Sequence, residues 1–266
     1  FSEFKIYFND TPFEIFYVNM SPAARSPRWL VYKHEPVAHE ARYTCTEDIE
    51  KYLGISFDDN EFDPEELITA IEIVMPKLEK LYNSKVRHYM VKQHTLLVCR
   101  QFEKYAFELN TKVMNIDLMR LVLAMHDIGK AIDRATQHIY TLSLIREFWS
   151  ESPFTDYELK LVEALLKDDH LGKFFQGRYD CNMLQEEIKK DAEELQIDAS
   201  CLLQLKMVLY QCDIASYTKD AGGLRYLEHM FVYENNKKTF NEENGLLAMS
   251  ANYWSRYKQL KSLIYE

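Results

Sequence analysis

The chain predicts a mainly α-helical body carrying a small β-rich N-terminal appendage, and three observations lead there. From 61 to 266 it is built of Leu-, Met-, Glu- and Lys-rich segments whose apolar residues recur every three or four positions, the period of a half-buried helix. Helix-start signals such as Asp63-Pro64 and Thr155-Asp156-Tyr157-Glu158 separate those segments. Residues 1–60 carry instead short runs of aromatic and β-branched residues, which suit strands. The expected division is therefore an appendage over 1–60 and a helical domain over 61–266.

Composition bounds the function before any motif is read. A chain of 266 residues that is 47% hydrophobic can bury a sizeable core. Its net charge of −10 disfavours an extended nucleic-acid groove, because phosphate-backbone binding needs a basic face. A small phosphorylated substrate stays compatible, since one Lys or Arg beside a metal holds a phosphate locally. The five cysteines, Cys45, Cys99, Cys181, Cys201 and Cys212, are odd in number and form no Cys-x-x-Cys pair, so they read as reduced thiols of a reducing compartment. No apolar run reaches the roughly 20 residues of a membrane span. No signal peptide is visible, although the chain starts at Phe1 without a Met. Cytoplasm is the expectation, with delivery into another cell left open; assembly into a homo-oligomer is compatible with all of this.

In chain order, Phe4–Phe8 and Phe13–Val18 read as strands around a turn at Asn9-Asp10-Thr11-Pro12, with Trp29–Lys33 as a third. The loop Ser21–Arg28 carries two arginines, while His34 and His39 lack ligand-like spacing. Asp63 caps and Pro64 opens the first helix of the body. A long amphipathic helix is expected from about Leu78 to Leu109, its stripe running Met90, Val91, His94, Leu97, Val98, Gln101 and Phe102. His94 therefore points into an apolar face.

A run from Ile116 to Met125, apolar apart from Asp117 and Arg120, ends in Met125-His126-Asp127-Ile128-Gly129-Lys130. Adjacent His and Asp side chains are costly to bury without a partner, and a divalent ion is the simplest one. Gly129 is read as letting the chain turn, with Lys130 and Arg134 just beyond, where a substrate phosphate needs counter-charges. Thr136 is read as capping a helix with His138 on its buried side. The Thr155/Glu158 capping box opens another, whose stripe delivers His170 inward; Asp168 and Asp169 read as its solvated end, with Lys167, Lys173 and Arg178 a basic cluster around it. Residues 180–200 are acidic and amphipathic without evident chemistry. Cys201–Ser216 is a strongly apolar helix that places Asp213 on a buried face, where a carboxylate needs a cation. A last helix spans Leu246–Tyr265, and His229 has no sequence partners.

Five stripes thus send metal-capable side chains inward: His94, His126 with Asp127, His138, His170 and Asp213. Four imidazoles and two carboxylates suit two divalent ions about 3.5–4 Å apart, bridged by Asp127.

The order His…His-Asp…His…His…Asp, with the core His126-Asp127-Ile128-Gly129-Lys130 and the distal Asp213-Ile214-Ala215-Ser216, resembles the HD-domain superfamily of metal-dependent phosphohydrolases over roughly residues 85–220. That resemblance implies a helical bundle with the metal site between helices. His94, His126, Asp127 and Asp213 match the core ligands; His138 and His170 match the additional ligands of two-metal members. The native ions would be Mn, Fe, Co, Ni or Zn. The implied reaction is hydrolysis of a phosphate ester, mono- or diester, of a nucleotide or another small phosphorylated metabolite by a metal-bridging hydroxide. Asp127 and Lys130 would be catalytic, and Lys130, Arg134 and Lys173 would hold the phosphate.

Subfamily marks narrow this. No Gly-Tyr-Pro signature follows the last ligands, as in cyclic-di-GMP phosphodiesterases, and no Glu-Asp follows the His-Asp pair, as in guanosine tetraphosphate hydrolases. Negative charge and the lack of a helicase partner disfavour a CRISPR-type nuclease. Two alternatives stand beside the hydrolase: an HD-type di-iron oxygenase acting on an inositol or a phosphonate, and a non-catalytic regulatory or interaction protein on the same scaffold.

Overall fold

The computed structural model of the chain describes residues 42–58, 62–87, 89–104, 114–217, 230–232 and 246–265, and the backbone alone of 3–8, 11–18, 28–32, 105, 233–234, 237–238 and 240–241. The fold is mainly α. The expectations for the Ser21–Pro27 loop, His34, His39 and His229 fall outside these residues.

Two compact units divide the chain, Phe1–Arg42 and Tyr43–Glu266. The first is an antiparallel sheet in the order β1 (Glu3–Phe8), β2 (Thr11–Val18), β3 (Arg28–Tyr32), with Phe4 opposite Ile15 and Phe16 opposite Leu30. Thr11 and Pro12, expected in the turn, pair with Phe8 and Tyr7 instead.

The units meet at Arg42/Tyr43 rather than near residue 60, because a short helix precedes the expected boundary. α1 (Thr46–Leu53) buries Ile49 and Leu53 and packs on α2 (Pro64–Val74). Just before it, the Thr44 amide and hydroxyl donate to Glu158 at 3.0 and 2.7 Å. Eight residues with a narrow apolar stripe were too short a signal to read as part of the helical body.

α2 starts as its sequence requires, with the Asp63 carboxylate accepting from the Glu65 amide at 2.9 Å. The expected helix from Leu78 to Leu109 is broken. α3 (Lys77–Tyr82) stops at Asn83, a hairpin of β4 (Lys85–Val86) and β5 (Tyr89–Met90) intervenes, and α4 runs Val91–Tyr105. Arg87 at the hairpin turn has φ 56°, a left-handed conformation that no helix contains.

α5 (Ile116–Met125) is capped by Asn115, whose side chain accepts from the Asp117 amide. Every residue from Asp117 to Met125 is buried, Arg120 included. Arg120 is satisfied there by a bidentate pair with Glu103 at 3.0 and 2.9 Å, by Asp117 at 3.2 Å and by the Phe57 carbonyl at 3.2 Å. That network ties α5 to α4 and to the segment after α1.

A 3-10 turn (Ile128–Ala131) leads to α6 (Gln137–Ser150), followed by α7 (Asp156–Leu166), α8 (His170–Phe175), α9 (Cys181–Leu195) and α10 (Ala199–Ser216). The Thr155/Glu158 capping box is present on α7. Thr136 stands at the N-cap of α6 but its side chain makes no cap bond; its hydroxyl donates to Asp133 instead. α10 is apolar on most sides, as a central helix must be, and packs against α4, α7, α8, α9 and α11 (Ala251–Tyr265). The last helix therefore begins at Ala251, and Leu246–Leu247 is instead a strand, β9, paired with β8 (Phe240–Asn241); β6 (Tyr233–Glu234) and β7 (Lys237–Lys238) pair before them.

All five cysteines are free thiols, and no helix among the described residues is long and apolar enough to cross a membrane.

Candidate metal centre

α4 lies against both α5 and α10, and that packing decides the site. His94 is one turn into α4, His126 and Asp127 follow the end of α5, and Asp213 is in the last turn of α10. Their ligand atoms converge within 4.8 Å of one another. His94 Nε2 stands 3.1 Å from Asp127 Oδ2 and 2.9 Å from Asp213 Oδ1; His126 Nε2 stands 3.5 and 3.7 Å from the same two oxygens. His94, His126 and Asp127 are buried, and Asp213 is partly open.

Hydrogen bonds behind the two imidazoles set which nitrogen faces the cluster. The Leu123 carbonyl is among the last four of α5 and has no intrahelical donor. His126 Nδ1–H supplies one at 2.7 Å. The Asp213 carbonyl, in the last turn of α10, accepts from the Ser216 hydroxyl at 2.6 Å. With its proton so committed, the same hydroxyl oxygen accepts from His94 Nδ1–H at 3.0 Å. Both histidines therefore turn Nε2 toward two carboxylate oxygens. Two lone pairs aimed at two acceptors repel unless a proton or a cation lies between them. His126 Nε2 and Asp213 Oδ1 are buried and make no hydrogen bond among the described residues. Such orphans, with neutral imidazoles and carboxylates as the donor set, fit a divalent ion.

Without an ion, the same contacts govern the charges of the cluster. Burial opposes charge on His94, but the Asp127 and Asp213 carboxylates outweigh it and lift its pKa to about 9. Burial would raise Asp127, yet Lys130, His126 and His94 hold its carboxyl well below the usual range. Asp213 is likewise held down, against its burial, by His126 and His94 and by the Lys130 charge. Tyr217 stacks on His94 with ring centroids 4.3 Å apart, its hydroxyl 3.0 Å from Nε2 and 3.2 Å from the Tyr89 hydroxyl.

The other expected ligands lie apart from these four. His138 is half-buried and lines a pocket of about 150 Å³ beside His126, Asp127 and Asp213. Burial lowers its pKa, against the pull of the Asp168 charge. His170 belongs to a separate group. Its Nδ1 meets Glu187 Oε2 at 2.8 Å, Asp168 Oδ2 lies 3.7 Å away, and its ring stacks on Tyr179 at 4.2 Å.

Lys130 bonds the Asp127 carboxylate and reaches both the pocket and a larger cleft of about 900 Å³ next to it. Arg134 and Lys173 line that cleft too. Asp169 is exposed, as a solvated helix end requires, and lines pocket and cleft, while Asp168 is only partly open and lines the pocket; desolvation and the neighbouring Asp213 charge push the Asp169 carboxyl up to about 6.

Several participants carried no usable sequence signal. Glu187 lies in the 180–200 stretch that showed no chemistry, and only the α8–α9 packing brings it to His170. Lys206 is buried beside the pocket with Nζ 2.5 Å from the Ala164 carbonyl. Arg87 and Tyr89 reach the cleft from a hairpin placed where a helix was expected.

Fold and site together define a mainly α protein in which two histidines and two aspartates could hold a metal ion. Comparison with family models, with curated proteins and with solved structures finds no match to this chain.

Proposed function

We propose that this chain is a metal-dependent phosphohydrolase of the HD-domain type, cleaving a phosphate ester of a nucleotide or another small phosphorylated metabolite. The observation that carries the reading is the convergence of His94, His126, Asp127 and Asp213 with both Nε2 lone pairs turned inward. In the sequence order of these residues lies the resemblance to that superfamily.

His94, His126, Asp127 and Asp213 would hold one divalent ion. A second would draw on His138 and on His170, whose Nδ1 already meets the Glu187 carboxylate. Such an ion supplies a Lewis acid for phosphoryl oxygens and lowers the pKa of water. The two carboxylates offset its charge, and the Leu123 and Ser216 contacts fix the imidazoles. Lys130, anchored on Asp127 and facing the pocket, neutralises charge developing on the phosphoryl oxygens. Arg134 and Lys173 line the adjoining cleft, where they meet another anionic part of the substrate.

The test is metal content per chain by plasma mass spectrometry on protein purified without chelator. It is paired with release of nitrophenol from p-nitrophenyl and bis-p-nitrophenyl phosphate in the presence of Mn. Bound metal that is lost in Asp127→Ala and Asp213→Ala, with metal-dependent hydrolysis of either ester, is the expected result. No metal even after Mn addition sinks the proposal. Bound iron with oxygen consumption and no ester cleavage replaces the hydrolase with an oxygenase.

A further inference from the structure

The cleft of about 900 Å³ is basic in a protein that is not. The chain has 42 acidic against 32 basic residues. Some of its cations elsewhere pair with carboxylates: Lys92 with Glu72, Arg146 with Glu163 and Lys167 with Asp191. Around the cleft stand Arg87, Arg134, Lys173 and Arg178, and none of them has an ion-pair partner among the described residues. Arg178 meets only the neutral Gln176 amide. Asp169 is the one carboxylate among the cleft's lining residues.

Four cations around one concavity with a single carboxylate make a positive surface, which favours an anion that meets several of them. They come from separate elements: Arg87 from the β4–β5 hairpin, Arg134 from the loop before α6, Lys173 from α8 and Arg178 from the loop after it. Arg87 also holds a left-handed backbone at φ 56°, which places a long cationic side chain where glycine is the usual occupant. The cleft joins the metal-side pocket through shared Lys130, Gln137, His138 and Asp169. A phosphate reacting in the smaller pocket therefore leaves the four cations to something else on the same molecule.

We propose that these four cations form a second anion subsite, and that the substrate is a small molecule bearing at least two phosphate groups, one reacting at the pocket and one held in the cleft. This rests on the phosphohydrolase reading for the fate of the first phosphate, but the subsite itself needs neither metal nor turnover.

The experiment is isothermal titration of the metal-free full chain with inorganic tripolyphosphate, fructose 1,6-bisphosphate and orthophosphate. Tripolyphosphate or the bisphosphate should bind at least about tenfold more tightly than orthophosphate, as expected when charge-assisted contacts are added. The tighter of the two tells whether the phosphates are adjacent or separated. An Arg134→Gln/Lys173→Gln double variant should lose at least about tenfold of that binding, whereas Arg146→Gln/Lys190→Gln, an equal charge change elsewhere, should lose less than about twofold. If the first double variant does not fold, as judged by thermal melting, Arg87→Gln is read in its place. Equal binding of all three probes, or a cleft variant that binds like the wild type, overturns the proposal. Binding that survives in a chain holding no metal and cleaving no ester sinks the phosphohydrolase reading and leaves the subsite standing.

Discussion

Ser216 holds His94 from behind: its hydroxyl donates to the Asp213 carbonyl at 2.6 Å and accepts from His94 Nδ1 at 3.0 Å. One side chain thus joins two candidate ligands on different helices and fixes the tautomer of one. Ser216 is 1% exposed, so no water replaces it freely.

Ser216→Ala should therefore leave a buried Nδ1–H unpaired, at a cost of about 1–3 kcal/mol in urea denaturation. It should also weaken Mn or Zn binding by about 10–100-fold, the usual effect of losing a group that orients a ligand. Titration of the metal-free protein reads the second effect. Unchanged affinity would detach Ser216 from the site and leave His94 oriented by α4 alone.

Gly129 is needed for proximity, not for a turn. Its backbone is not left-handed, yet a Cβ there would lie 2.2 Å from the Gln137 carbonyl oxygen and 2.6 Å from the Thr141 amide nitrogen. Gly129→Ala should push α6 off the 3-10 turn and cost about 1–3 kcal/mol, the range for overpacking. Because Gln137 and His138 begin α6 and line the pocket, metal-dependent ester cleavage should fall as well. Thermal melting and kinetics on the same sample check both; a neutral substitution would mean α6 yields without cost.

Arg120 is 1% exposed and neutralised by Glu103 and Asp117. Arg120→Met should destabilise by about 3–5 kcal/mol, because a buried carboxylate loses its partner. Adding Glu103→Met should recover part of that loss, since it removes one of the two stranded charges. Denaturant midpoints for wild type, single and double variants decide it. A double variant no better than the single would show that the Asp117 and Phe57 contacts carry the network.

Burial, with a smaller contribution from the Glu103 charge, pushes the Cys99 thiol up to about 12 from its ordinary 9. Below about pH 9 the thiol is protonated in folded and unfolded chains alike, and its contribution to stability is intact. Above that the unfolded thiol ionises while the folded one does not, so stability falls from about pH 9 to about pH 12, by at most on the order of 4 kcal/mol. The unfolding free energy of Cys99→Ala, measured across that window, should fall less steeply than that of the wild type. Parallel slopes would refute the assignment.

Much of the helical body was legible because its signals are local. Asp63 and the Thr155/Glu158 box cap the helices they announce, and the stripes around His94 and Asp213 face inward as their spacing requires. Boundaries failed where a short-range competitor was present. The left-handed Arg87 splits an apparently continuous amphipathic run, and eight residues of α1 extend the helical unit back to Tyr43.

What the sequence by itself determined is which side chains enter the interior, since a period of 3.6 residues is a property of each segment alone. His94, His126, Asp127 and Asp213 were identified that way, and the structure brings those four together. The same spacing also sent His138 and His170 inward as ligands, and the structure leaves both apart from the four. Ligands on α4, α5, α8 and α10 meet only if the helices cross at the right point, and crossing depends on side chains packed across elements distant in sequence. Tertiary structure therefore decided that His170 faces Glu187, that Ser216 rather than solvent supports His94, and that the cations of an acidic chain gather on one cleft.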